Sequence, residues 1–202
     1  MLPNPLVNVV VVNVPSCDIQ FIVPNTNPFG DQVFPGPRRP WEDIAWFHGT
    51  DAGAAAQIAA DRRFNPAAPG GYGKSYGQGN YFAFCQCRAA AYGEFVFKVD
   101  LTGKNLLPVT SIETIDPQNL AQRIPSLSGA QHQSLAEELR RSTKPNKSNV
   151  VAPWAQQQGF DGLFLRGIDE VCVATVFTAV AAPNDPIQRL NKCTVDHSNQ
   201  IN

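Results

Sequence analysis

Charge is scarce in this chain. Asp, Glu, Lys and Arg make up 16% of its 202 residues, against roughly 25% in ordinary domains. That argues against coiled coils and long, charge-laced surface helices. With 16 Lys and Arg against 17 Asp and Glu the net charge is −1, so no global electrostatic grip on nucleic acid or an anionic membrane is expected. Long hydrophobic runs are also missing. The run Leu6–Val14 is broken by Asn8 and Asn13 and falls far short of the roughly 20 residues a membrane helix requires. It also lacks the basic head of a secretory leader, since no Lys or Arg precedes Arg38, and no small-residue cleavage site follows promptly. Its β-branching predicts a strand or an ordered arm; a leader elsewhere, or a larger parent chain, stays open. Cysteines are few, odd in number and scattered (Cys17, Cys85, Cys87, Cys172, Cys193). Reduced thiols, and hence a reducing compartment, are the expectation for a chain of this size. Cys85-Gln86-Cys87 has no second Cys or His pair at ligand spacing, so no metal is expected.

Hydrophobic residues, at 43%, are enough for a real core. Proline (17) and glycine (15) are plentiful and predict many turns. Pro15, Pro24, Pro28, Pro35, Pro37 and Pro40 fix φ and remove donors, so residues 1–40 read as an extended arm. A compact region is expected over 41–182. Ile44–His48 reads as a buried strand ending at Gly49, and Ala52–Ala60 as a helix. Asn65–Asn80 is a glycine-rich loop, followed by an extended Tyr81–Ala83 and a helical Cys87–Tyr92. Glu94–Leu101 alternates as a strand. Leu107–Asn149 is mixed, with a helix at Ser134–Arg141, and Pro153–Gln158 is a short helix closed by Gly159. Strands at Gly162–Leu165 and Glu170–Val180 finish the region, and residues 183–202 read as a polar, frayed tail. No internal repeat is present. The fold class expected from this order is α+β.

The glycine-rich loop raises the question of a nucleotide. Gly73-Lys74-Ser75 resembles the end of a phosphate-cradling loop, but Ala68 stands where that motif needs its first glycine. No strand–GxGxxG–helix unit is present either. The neighbours of the loop carry more. His48-Gly49-Thr50 ends a buried strand. Gly77-Gln78-Gly79-Asn80-Tyr81-Phe82-Ala83 follows, then Arg88-Ala89-Ala90-Ala91-Tyr92. Gly159-Phe160-Asp161-Gly162 precedes Asp169-Glu170-Val171-Cys172-Val173, which puts a glutamate at the head of an apolar strand. Each piece alone is a common turn or strand end; the four in this order are specific.

In these pieces the chain resembles the ADP-ribosyltransferases of the diphtheria-toxin and poly(ADP-ribose) polymerase branch, with their His–Tyr–Glu triad. Relatives carry His-Gly-Thr or His-Gly-Ser, then Gly-x-Gly-x-Tyr-Phe-Ala, then a second tyrosine at the same distance as here, where Tyr81 and Tyr92 stand 11 residues apart. The likeness covers roughly residues 44–180. It implies two small packed antiparallel sheets with short flanking helices around an NAD cleft. It gives NAD as substrate, no metal, and catalytic roles to His48, Tyr81 and Glu170. Tyr81 and Tyr92 would stack on nicotinamide. The backbone at Gly49 would meet its carboxamide, with Thr50, Ala83 and Ala89 also among the NAD-binding residues and His48 on the adenosine ribose. Arg63 would contact the adenosine side, within one residue of register. Glu170 would hold the nicotinamide ribose and stabilise the oxocarbenium-like transition state.

Two departures shape the expectation. Ala89 replaces a serine that holds the carboxamide in many relatives, and Ile168 stands where arginine-modifying enzymes carry glutamate. The expected activity is therefore transfer of a single ADP-ribose to a macromolecule, not at arginine, by a monomer with no membrane partner, as suits a toxin or effector. A protein acceptor is favoured over nucleic acid. An NAD glycohydrolase using water, and a non-enzymatic binding module retaining the fold, are the alternatives.

Overall fold

A computed structural model describes residues 9–12, 41–42, 45–66, 78–110, 115–143, 148–166, 172–184 and 187–190. The chain divides into two compact units. The first takes Met1–Arg62, Ala83–Thr102 and Ala182–Asn202; the second takes Arg63–Phe82 and Gly103–Ala181.

In the first unit, β1 (Val9–Val12) runs parallel to β10 (Ile187–Leu190), which pairs antiparallel with β5 (Phe95–Val99). The next strand, β2 (Trp46–Thr50), pairs antiparallel with β5 along its whole length, from Trp46↔Val99 to Thr50↔Phe95. Phe95, Val96, Phe97 and Val99 are buried while Lys98 is exposed, so β5 faces apolar surroundings on both sides over most of its length. Trp46 is fully buried and its indole Nε1 donates to the Trp41 carbonyl at 2.9 Å. Helix α1 (Ala52–Asp61) follows β2 directly. Asp51 caps it by accepting from the Ala54 amide at 2.8 Å, which satisfies one of the donors that a helix start leaves open. It ends at Arg62, held left-handed at φ 52° with its amide donating to the Ile58 carbonyl. Helix α2 (Gln86–Ala90) is a short turn ahead of β5.

In the second unit, β6 (Leu106–Thr110) lies parallel to β7 (Gly162–Arg166), and β7 antiparallel to β8 (Cys172–Val176). The crossover from β6 to β7 carries α3 (Leu120–Arg123), α4 (Gly129–Arg141) and α5 (Ser148–Gln157). Parallel neighbours need such a long connection. Ser128 starts α4 with a capping box: its hydroxyl accepts from the Gln131 amide while the Gln131 side chain accepts from the Ser128 amide. Leu107, Val109, Leu135, Val151, Ala155 and Leu163 form the core beneath these helices. Trp154 joins α5 to α4 through its Nε1, which donates to the Ser134 hydroxyl at 3.1 Å. A small two-stranded sheet pairs β3 (Arg63–Phe64) with β9 (Val180–Ala181).

The expected α+β class holds, with mixed sheets and a small two-stranded one. The expectation of purely antiparallel sheets does not hold, because β1/β10 and β6/β7 are parallel. The second parallel pair follows from the helical crossover. Nor is the tail simply frayed: Ile187 and Leu190 are buried where β10 sits between β1 and β5. The predicted strand at Glu170–Val180 is, in its described part, broken at Phe177–Ala179 into β8 and β9. Helix α5 begins before Pro153, which lies inside it. Among the described residues no helix is long and apolar enough to cross a membrane.

Candidate functional site

Six of the nine predicted site residues lie in the first unit and share one neighbourhood. His48, Gly49 and Thr50 form the second half of β2, with His48 and Thr50 half-buried. Ala83 pairs with Phe47, one residue before His48. Ala89 lies on the buried side of α2 and packs with Phe47, Ala83, Val96 and Leu190. Tyr92 follows two residues after α2 and is 75% exposed.

Backbone-to-backbone contact holds this neighbourhood together. A β-carbon at Gly49 would overlap the carbonyl of Ala89, and one at Gly93 would overlap the backbone of Thr50. Helix α2 and the turn after it therefore lie directly on β2, at a separation only glycine permits. Reverse-turn bonds keep that turn tight: the Tyr92 amide donates to the Ala89 carbonyl at 3.0 Å and the Gly93 amide to the Ala90 carbonyl at 3.2 Å. The missing side chain at Gly49 admits α2. One edge of β2 is paired with β5 throughout, the other with β4 (Asn80–Ala83) only at Phe47↔Ala83.

Arg63 and Tyr81 belong to the second unit. Arg63 opens β3 and is exposed. Tyr81 is half-buried in β4, between Asn80 and Phe82, which are both buried. Asn80 Nδ2 donates to the Phe64 carbonyl at 3.3 Å and to the Thr178 carbonyl at 3.2 Å. The Phe82 ring meets Phe64 edge-on, with centroids 5.7 Å apart. A β-carbon on Gly79 would press on the Val176 carbonyl. Glu170 lies outside the described residues, as do Ile168 and Gly70–Gly77 of the glycine-rich loop.

The Gly159–Gly162 motif does structural work. Gly159, at φ 83°, ends the turn after α5. The Asp161 carboxylate accepts from the Asn105 amide at 2.7 Å, and a β-carbon at Gly162 would overlap the Thr175 carbonyl. These contacts align β6, β7 and β8. Away from the predicted site, Thr102 donates to the Asp100 carboxylate from side chain and backbone, which holds its pKa below the usual carboxylate range. Glu94 and Arg189 pair at 2.9 Å with both side chains about half exposed.

The cysteines correct an expectation. Cys85 and Cys87, buried at the head of α2, are disulfide-bonded. Scatter along the chain does not limit which sulfurs a fold brings within bonding reach. The expectation of a reducing compartment, which rested on free thiols, loses that support.

No family model and no curated protein matches the chain. Among solved structures it is similar to one titled "Crystal structure of an anti-CRISPR protein", at 13% identity over 73% of this chain and 98% of that one, with a TM-score of 0.35. A likeness of that degree carries no argument about activity.

Proposed function

We propose that the chain is an NAD-dependent ADP-ribosyltransferase with the fold of the His–Tyr–Glu branch, moving one ADP-ribose to a macromolecular acceptor other than arginine. The observation that supports this reading is the seating of α2 on β2. The two glycine contacts hold the turn that carries Tyr92 against β2 at Gly49 and Thr50, and the Tyr92 side chain itself is largely exposed. An exposed aromatic ring on a turn held against a strand suits a planar amide such as nicotinamide, which stacks on the ring and hydrogen-bonds backbone groups.

In this reading His48 donates to an adenosine ribose hydroxyl and Tyr81 supplies the second stacking ring. The bond between the ribose anomeric carbon and nicotinamide breaks, and its electron pair leaves with neutral nicotinamide. Positive charge develops on the ribose, where the Glu170 carboxylate accepts from a hydroxyl and stabilises the cation. The acceptor attacks the anomeric carbon and loses its proton.

Incubation with labelled NAD and a cell lysate tests the reading. Label should enter macromolecules, in the protein fraction rather than RNA, and Glu170→Gln should lower the rate about 100- to 1000-fold. Free ADP-ribose as sole product would make water the acceptor. Full turnover by Glu170→Gln would overturn the triad.

A further inference from the structure

Residue 80 is polar, yet Asn80 is only 6% exposed. A buried side-chain amide is costly unless its donors are met. Here both Nδ2 bonds go to backbone carbonyls on different segments, Phe64 in β3 and Thr178 ahead of β9. Two residues on, Phe82 is fully buried against the ring of the same Phe64. Side chains alternate along a strand, so Asn80 and Phe82 share one face of β4 and Tyr81 takes the other. The residues on either side of Tyr81 are thus both fastened to Phe64, one through its carbonyl and one through its ring. Gly79 adds a third restraint, because the chain before Asn80 passes against the Val176 carbonyl.

We propose that Asn80 is a positioning residue whose two hydrogen bonds, with the Phe82–Phe64 contact, fix the direction of the Tyr81 ring for ligand stacking. The proposal rests on the NAD reading above. Its logic is preorganisation: a ring whose Cα–Cβ bond is already aimed has less freedom left to lose when a planar ligand arrives. A purely structural asparagine would support the β3–β4 region without changing what Tyr81 can bind.

A double-mutant cycle separates these roles, with NAD binding to the full chain measured by calorimetry and stability by thermal melting. Asn80→Ala should weaken NAD about tenfold, equivalent to about 1.4 kcal/mol. In a Tyr81→Ala background the same change should weaken NAD less than about twofold while still lowering the melting temperature. Asn80→Ser, which keeps one hydroxyl donor, should fall between parent and Asn80→Ala, and it carries the cycle if the alanine variant does not fold. Equal losses of affinity in both backgrounds, or a lowered melting temperature with parent-like NAD binding, would overturn the positioning role. A parent chain that neither binds nor cleaves NAD would instead overturn the reading on which the role depends.

Discussion

Two regions of the molecule are held together in different ways. Around β2 and α2 the chain leaves side chains out: Gly49 and Gly93 let one backbone rest on another, and the small core behind them is Phe47, Ala83, Ala89, Val96 and Leu190. Beneath α4 and α5 the chain fills space with Leu, Ile, Val and Trp. A core of large side chains degrades by degrees when atoms are removed, because neighbours relax part of the way into the void. A backbone-to-backbone seat fails the other way, when atoms are added, because neither main chain can yield without moving a strand or a helix. Precision is therefore concentrated where the predicted ligand wall lies, and bulk stability where large side chains pack.

That contrast sets the order of expected effects. Leu135→Ala, in the packed core, should lower unfolding free energy by about 2–5 kcal/mol in denaturant melts and leave NAD affinity at the parent value in the surviving native protein. A loss of NAD binding there would erase the distinction between the two regions. Gly93→Ala should cost about 1–3 kcal/mol by forcing the turn away from Thr50. Unlike Leu135→Ala it should weaken NAD in calorimetry even at temperatures where the protein is fully folded.

Tyr92→Ala removes an exposed ring, so its melting temperature should move little, with a stability change within about 0.5 kcal/mol. Its NAD affinity should nonetheless fall about tenfold, the upper end expected from losing one stacking contact. Unchanged binding would leave α2 as scaffold alone.

The smallest effect concerns Asp100, whose carboxylate is held below its ordinary pKa by Thr102. A depressed pKa stabilises the fold above the usual carboxylate range and loses that contribution as pH falls through the folded value. Asp100→Asn should therefore cost no more than about 0.5 kcal/mol near neutrality, given the exposure of the site. The difference from parent should vanish in acid; a gap that widened there would contradict the assigned hydrogen bonds.

Local features of this architecture could be read from residues alone. The Trp46–His48 apolar run, the alanine-rich helix before Arg62 and the alternation at Phe95–Val99 each carry their signal within a few positions. What escaped depends on partners distant in sequence. Ile187 and Leu190 flank polar Gln188 and Arg189 and look like tail until β1 and β5 enclose them. Pro153 reads as a helix start because proline suits the first turn, yet buried Val150 and Val151 carry α5 past it. Gly93 carries no signal of its own beside Tyr92, since only the nearness of Thr50 reveals its purpose. Asn80 looks like any polar residue of a turn, and only the two carbonyls that it reaches set it apart.

The placement of β10 also sets a timetable for synthesis. The ribosome delivers Arg63–Phe82 and Gly103–Ala181, the whole second unit, before Ile187 is made. The first unit must wait, because β10 is an inner strand between β1 and β5 and supplies Leu190 to the core under Ala89. Contacts of such long sequence separation are slow to form. A nascent chain stopped short of Ile187 therefore carries α2 on an unfinished floor, with one edge of β5 uncovered. Arrested chains ending at Ala182 should contain a protease-resistant second unit while the segment around His48 and Tyr92 is still cleaved.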